Sequence, residues 1–270
     1  MKRLSATALG LALSICPLLS GAETAAEAAK HPIVPPSPKR LHDGKLNWTG
    51  FWVPVDGMLE HDIGLGGTDP SKGPAMKFQP VHYPDLKPPF NEQLEKFKAA
   101  AAKGIVEDST SICFPPGMPR MMGMIYGMEL LQTPGQITMT SEWQDASRRV
   151  WLNRSQHPPA DELDPTYAGD SIGHWQGDTL VVDTVGVRED VPLNFGGLPH
   201  SKDMHIHEVF SEKVPGILED EITIDDPTAF AASFKETHRY RYRPDLSLRE
   251  YVCLENNRNV GGKGEAKFDK

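Results

Sequence analysis

Gly173-His174-Trp175-Gln176-Gly177-Asp178-Thr179-Leu180-Val181-Val182-Asp183-Thr184 is the stretch whose reading decides the fold. A Trp-bearing strand end runs into a Gln-Gly-Asp turn and then into a β-branched strand. Gly177 supplies the positive φ that such a turn needs, and Asp178 can hydrogen-bond its own backbone, so the stretch predicts a β-hairpin. Similar units surround it. The patterning predicts strands at 124–131, 136–143, 148–153, 172–175, 179–187, 204–213, 217–225, 237–243 and 246–255, separated by Pro-Gly, Asp-Ala-Ser, Gly-Asp and Pro-Asp turns. Short connections make successive strands antiparallel neighbours, and a meander this long closes on itself most economically. The expected fold is mainly β, an antiparallel barrel.

Towards the N-terminus, Trp48-Thr49-Gly50-Phe51-Trp52-Val53-Pro54 predicts a first strand. Residues 56–89 are dense in Gly and Pro and read as a long irregular excursion. One helix is expected at 92–103, capped by Asn91, with Leu94, Phe97 and Ala101 on one face and Gly104 as its stop. Lys2 and Arg3, an apolar run to Leu19 and Ser20-Gly21-Ala22 form a secretory signal peptide, too short and wrongly flanked for a membrane span. Ile15 before Cys16 spoils a lipobox. The expected organisation is a leader at 1–22, an extended lead-in at 23–45, one barrel domain at 46–258 with an insertion at 56–112, and a flexible tail at 259–270. The expected location is the periplasm or the medium, without membrane insertion.

The net charge of −9 argues against nucleic acid. Removing the leader leaves Cys113 and Cys253. In an oxidising compartment an even pair reads as one disulfide, worth on the order of 4–5 kcal/mol for so long a loop. No thiolate-forming context favours the alternative of a reactive thiol.

Period-two alternation assigns faces. Met204, Ile206, Glu208 and Phe210 share one face, so Glu208 is expected inside while His205 and His207 point together to the other side. The sets Leu248-Glu250-Val252-Leu254 and Thr179-Val181-Asp183-Val185 likewise place Glu250 and Asp183 inside. Inward carboxylates are costly unless paired. They either pair with arginines such as Arg148, Arg239 or Arg241, or line a small-molecule pocket. The arginines of Arg239-Tyr240-Arg241-Tyr242-Arg243 are expected on a solvated outer face. His205 and His207, with His174 or His200, could ligate a divalent metal. One of them could instead act as a general base oriented by Glu208 or Asp183. Met118, Met121, Met122, Met124 and Met128 fill a core, line an adaptable pocket, or bind Cu(I).

Longer motifs carry a resemblance: Cys113-x-Pro-x-Gly-x-Pro-Arg120, the Gly173–Thr184 stretch, Leu198-Pro-His-Ser201, His205-x-x-Glu208 and Ile224-Asp-Asp-Pro227. From about residue 48 to residue 257 the chain resembles a large family of exported bacterial proteins common in sphingomonads. Gly50-Phe51-Trp52 also matches the Gly-x-Trp that opens lipocalin-like barrels. The resemblance implies a lipocalin-like β-barrel and no particular activity. Many members have Arg where this chain has Val209, and some have His where it has Asp170.

The expected function is acid–base catalysis on a bulky apolar or aromatic small molecule, of lyase, isomerase or hydrolase type, without an organic cofactor. His205 or His174 is the expected base, with Glu208 and Asp183 as acid or orienter. Trp175, Met124, Met128, Glu250 and His200 are the expected ligand contacts. A non-catalytic carrier of a hydrophobic small molecule, or a His/Met metal-binding protein, is the alternative.

Overall fold

The computed structural model describes residues 36, 39–55, 83–255, 257 and 265–267. The expected leader, most of the lead-in and the excursion from 56 to 82 lie outside the described residues. Every described residue belongs to one compact unit.

Eleven strands and one α-helix are found among the described residues: β1 (Gly50–Pro54), α1 (Phe90–Ala101), β2 (Ile105–Glu107), β3 (Met128–Thr133), β4 (Gln136–Ser141), β5 (Ser147–Trp151), β6 (Asp170–Gln176), β7 (Thr179–Val185), β8 (His205–Val214), β9 (Ile217–Asp225), β10 (Phe234–Tyr242) and β11 (Glu265–Lys267). Nine of the strands close a barrel in the order β1-β10-β9-β8-β7-β6-β5-β4-β3, while β2 and β11 form a separate ribbon. That ribbon holds three residues of the expected tail against Ile105–Glu107.

The expected all-antiparallel meander needs one correction. β5 and β6 run parallel, paired at Val150↔Ser171 and Trp151↔Ile172. Alternating directions cannot close around an odd number of strands, so a nine-strand ring requires one like-directed pair. The seam falls where residues 152–169 connect the strands, a span long enough for a parallel crossover.

The strand expected at 246–255 does not form; this segment is irregular, with a turn at 253–255. β10 already pairs with β1 through Trp52↔Tyr242, Val53↔Arg241 and Pro54↔Tyr240. The ring is therefore closed without a further strand, and alternation in 246–255 has no edge to pair with. Val252 and Leu254 are exposed, and so is Glu250, which was expected inside. Cys113 and Cys253 are joined, as expected, across 140 residues of chain, but Cys253 lies in this irregular segment.

Smaller differences have local causes. β3 begins at Met128, because Arg120–Gly123 forms a 3-10 turn ahead of it. Helix α1 starts at Phe90 after Pro89, and Asn91 is not its cap. Pro at a helix start costs no hydrogen bond, since that N–H has no helical partner. The helix docks through half-buried Leu94 and Phe97; the Phe97 ring lies where a Cβ on Gly197 would sit.

Inside the barrel, Trp52, Leu130, Ile137, Met139, Val150, Leu180, Val182, Ile206, Phe210, Leu218 and Ile222 are fully shielded from solvent. Burying a side chain of this size stabilises the fold by roughly 1.5–3 kcal/mol. Trp52 of the Gly-x-Trp match donates from Nε1 to the Trp48 carbonyl at 2.8 Å. Among the residues of β10, Tyr240 is buried and Arg239 exposed, with Tyr240 Oη donating to the Met122 carbonyl at 2.5 Å.

Candidate functional site

The two faces of β7 and β8 carry two separate polar groups. On the inner face, Arg148 of β5 and Glu208 of β8 are both fully buried and form a two-point ion pair, with Nη1 to Oε1 at 2.7 Å and a second contact from Nη2 to Oε2. Arg148 also donates from Nε to Ser171 Oγ at 3.1 Å and from Nη2 to Thr184 Oγ1 at 2.9 Å. Of the arginines considered for pairing with an inward acid, Arg148 pairs with Glu208. A buried guanidinium and carboxylate that satisfy one another in this way form a cross-brace rather than an open reaction centre.

Asp220 of β9 lies in the same interior, fully buried, with neither carboxylate oxygen hydrogen-bonded. Burial first, and then the nearby Glu208 charge, push its carboxyl well above the usual range, with Arg148 opposing them. Its cross-strand neighbour is His238, also buried, whose Nδ1 is likewise without a partner. Asp220 and His238 were missed from the sequence. The even-numbered set Leu218-Asp220-Ile222-Ile224 would have revealed Asp220 by the rule that placed Glu208.

The outer face holds the second group. Asp183 is directly opposite His207 in the β7–β8 register, and directly opposed side chains have Cβ atoms about 4.5–5.5 Å apart. His207 Nδ1 lies 2.9 Å from Asp183 Oδ1, and His205 Nδ1 lies 3.3 Å from the same oxygen. The two imidazole rings stack with centroids 5.7 Å apart. The other oxygen, Asp183 Oδ2, is 3.0 Å from His157 Nε2, and His157 Nδ1 is 2.7 Å from Asp170 Oδ1. Arg154 Nη2 closes the chain on Asp170 Oδ2 at 2.6 Å. His205 and His207 remain about half exposed, at 46 % and 48 %, whereas His157 is 15 % exposed. The cluster therefore has an open side and a supported side.

This placement corrects the expectation that Asp183 faces the interior. Thr179–Val185 is apolar on both faces, and Leu180, Val182 and Thr184 take the inside. Glu208 faces inward as alternation predicts, on the opposite face of β8 from His205, so it takes no part in the orienting role considered for it. His174 is on the outer face of β6, but its Nε2 is engaged with Gln176 Nε2 at 2.9 Å, apart from the cluster. His157, Asp170 and Arg154 were missed. His157 lies in the β5–β6 connection, where no periodicity assigns a face.

The expected ligand contacts do not converge. Met124 and Met128 are core residues, and His200 is buried between the carbonyls of Ser201 and Val191 at 2.9 and 3.1 Å. Trp175 packs on Trp48, centroids 4.8 Å apart, and Glu250 is exposed on the irregular segment.

Asp183, His205 and His207 each offer one donor atom, and the three lie within 4.8 Å of one another. A metal bonded at about 2.0–2.1 Å separates neighbouring ligand atoms by roughly 2.8–3.4 Å across octahedral and tetrahedral geometries. The two distances from Asp183 match those spacings. Compared with known proteins, the chain matches no protein-family model, no curated protein and no solved structure.

Proposed function

We propose that this is an exported barrel enzyme whose working site is on its outer wall, where Asp183, His205 and His207 hold one divalent metal ion. The observation that carries the reading is the convergence of His205 Nδ1 and His207 Nδ1 on Asp183 Oδ1. Two imidazoles and one carboxylate suit zinc and its first-row neighbours, and three protein ligands leave positions for water and substrate. Such an ion polarises a carbonyl or generates hydroxide near neutral pH, which is hydrolase or lyase chemistry without an organic cofactor. His157 and Asp170 supply the outer hydrogen bonds that fix a ligating carboxylate. The half-exposed imidazoles leave the ion accessible to a small molecule.

A second reading keeps the same residues without metal. With Nδ1–H donated to Asp183, each imidazole presents Nε2 to solvent, the orientation of a general base. The carrier alternative has less support, because Met124, Met128 and His200 are occupied in packing.

Metal analysis after equilibrium dialysis against zinc separates these readings. About one equivalent is expected in the native protein, with loss of bound zinc in Asp183→Asn and in His205→Ala/His207→Ala, and retention in His174→Ala. Zinc-free native protein would remove the metal reading and leave the general base.

A further inference from the structure

We propose that the barrel carries a second, separate site: a cleft at its parallel seam that binds a flat apolar carboxylate, such as an aromatic acid. β5 and β6 pair at only two positions, Val150↔Ser171 and Trp151↔Ile172. Before those positions no strand pairing joins the first half of β5 to the segment leading into β6. A cleft of about 370 Å³ lies there, lined by Ser147, Arg149, Trp151, Tyr167 and Met121 among others. That volume falls within the range of small-molecule sites.

Three properties identify the ligand. Ser147, Arg149 and Trp151 alternate along the outer face of β5, so a hydroxyl, a cation and an indole stand in one row. Arg149 has no ion pair or hydrogen bond to a described side chain, whereas Arg40, Arg120, Arg148, Arg154, Arg188 and Arg243 each pair with a carboxylate. An unpartnered guanidinium at the edge of an apolar cleft matches a carboxylate, which it can hold through two parallel hydrogen bonds. Within the rest of the lining, Met121, Tyr167, Ala146 and Ala168 join Trp151 in presenting surface that suits a flat hydrocarbon body, with Thr166 as a further hydroxyl.

The walls are already fixed. Met118 N donates to the Tyr167 carbonyl at 2.9 Å, Thr166 N donates to the Gly186 carbonyl and Arg188 N donates to the Thr166 carbonyl, the last two at 3.0 Å each. Arg188 lies 5.0 Å from the Tyr167 ring centroid, Phe114 stacks on the same ring, and Arg154 lies 4.8 Å from the Trp151 centroid. A site held this way loses little freedom when it is filled.

The test is calorimetric titration of the processed full chain with 2-naphthoate and with neutral 2-naphthamide. Saturable naphthoate binding is expected, weakened about tenfold or more in Arg149→Gln, while naphthamide binding changes by less than about twofold. Ala168→Phe, which fills the cleft, should weaken both. Absence of saturable naphthoate binding, or an unchanged affinity in either Arg149→Gln or Ala168→Phe, overturns the proposal. Asp183→Asn should leave both titrations as they are; loss of naphthoate binding in that variant would move the ligand to the outer-wall centre and also overturn it.

Discussion

Val182 and Asp183 are neighbours in sequence, yet backbone alternation sends Val182 to the core opposite Glu208 and Asp183 to the outer wall opposite His207. The wrong parity for one strand put Asp183 on the same side as Glu208, and the structure places them on opposite faces. Alternation settled Glu208 because Ile206 and Phe210 flank it while His205 and His207 cannot share their face. It could not settle Asp183, since Val181 and Val182 are equally apolar. Asp220 makes the best test of the interior. Its raised carboxyl pKa means that the folded chain keeps a proton which the unfolded chain releases above about pH 4. Stability contributed by that proton is complete below the unfolded value and is lost as pH rises towards the folded one. Asp220→Asn removes this linkage. Denaturant unfolding should show the variant gaining on the native protein as pH rises from 4 to 7, by up to about 1.4 kcal/mol per pH unit. A constant difference across that range would show that Asp220 is not held protonated.

At the scale of elements, the barrel strands were legible because their patterning and turn residues agree, and Ile217–Asp225 matches its expected limits throughout. The parallel β5–β6 seam was not legible: strand direction follows from how the 152–169 connection is routed, which no local pattern records. Nor did the alternating 246–255 segment reveal that β1 and β10 had already closed the ring. That segment is now tied to Cys113 from outside the barrel. The entropic value for so long a loop, about 5 kcal/mol, is then an upper bound, because β1–β10 pairing holds the ring closed without the disulfide. Cys113→Ser/Cys253→Ser should keep the native far-ultraviolet circular dichroism and become cleavable by protease within residues 244–257. Collapse of the barrel signal in that variant would show that the crosslink, rather than the strand pairing, maintains closure.

Across the whole molecule, the described interior is occupied by packed apolar side chains and the Arg148–Glu208 brace with Asp220 and His238 beside it, while the Asp183–His205–His207 group faces outward. This inverts the arrangement of a barrel that carries its ligand inside, and it follows from strand order. β7 and β8 bring Asp183, His205 and His207 together on one patch of wall, while the connection ahead of β6 adds His157 and the first residue of β6 adds Asp170. The histidine pair was visible in the sequence as an i, i+2 repeat; its carboxylate partner was visible as a residue but not as a face. The most direct test of the proposed metal centre is an anomalous-difference map, recorded at the zinc edge from crystals of the protein grown with zinc. The account predicts one strong peak about 2.0–2.1 Å from an Asp183 carboxylate oxygen and from Nδ1 of both His205 and His207. A map without a peak there, or with its strongest peak at His174 or at the methionines around Met121, would contradict it.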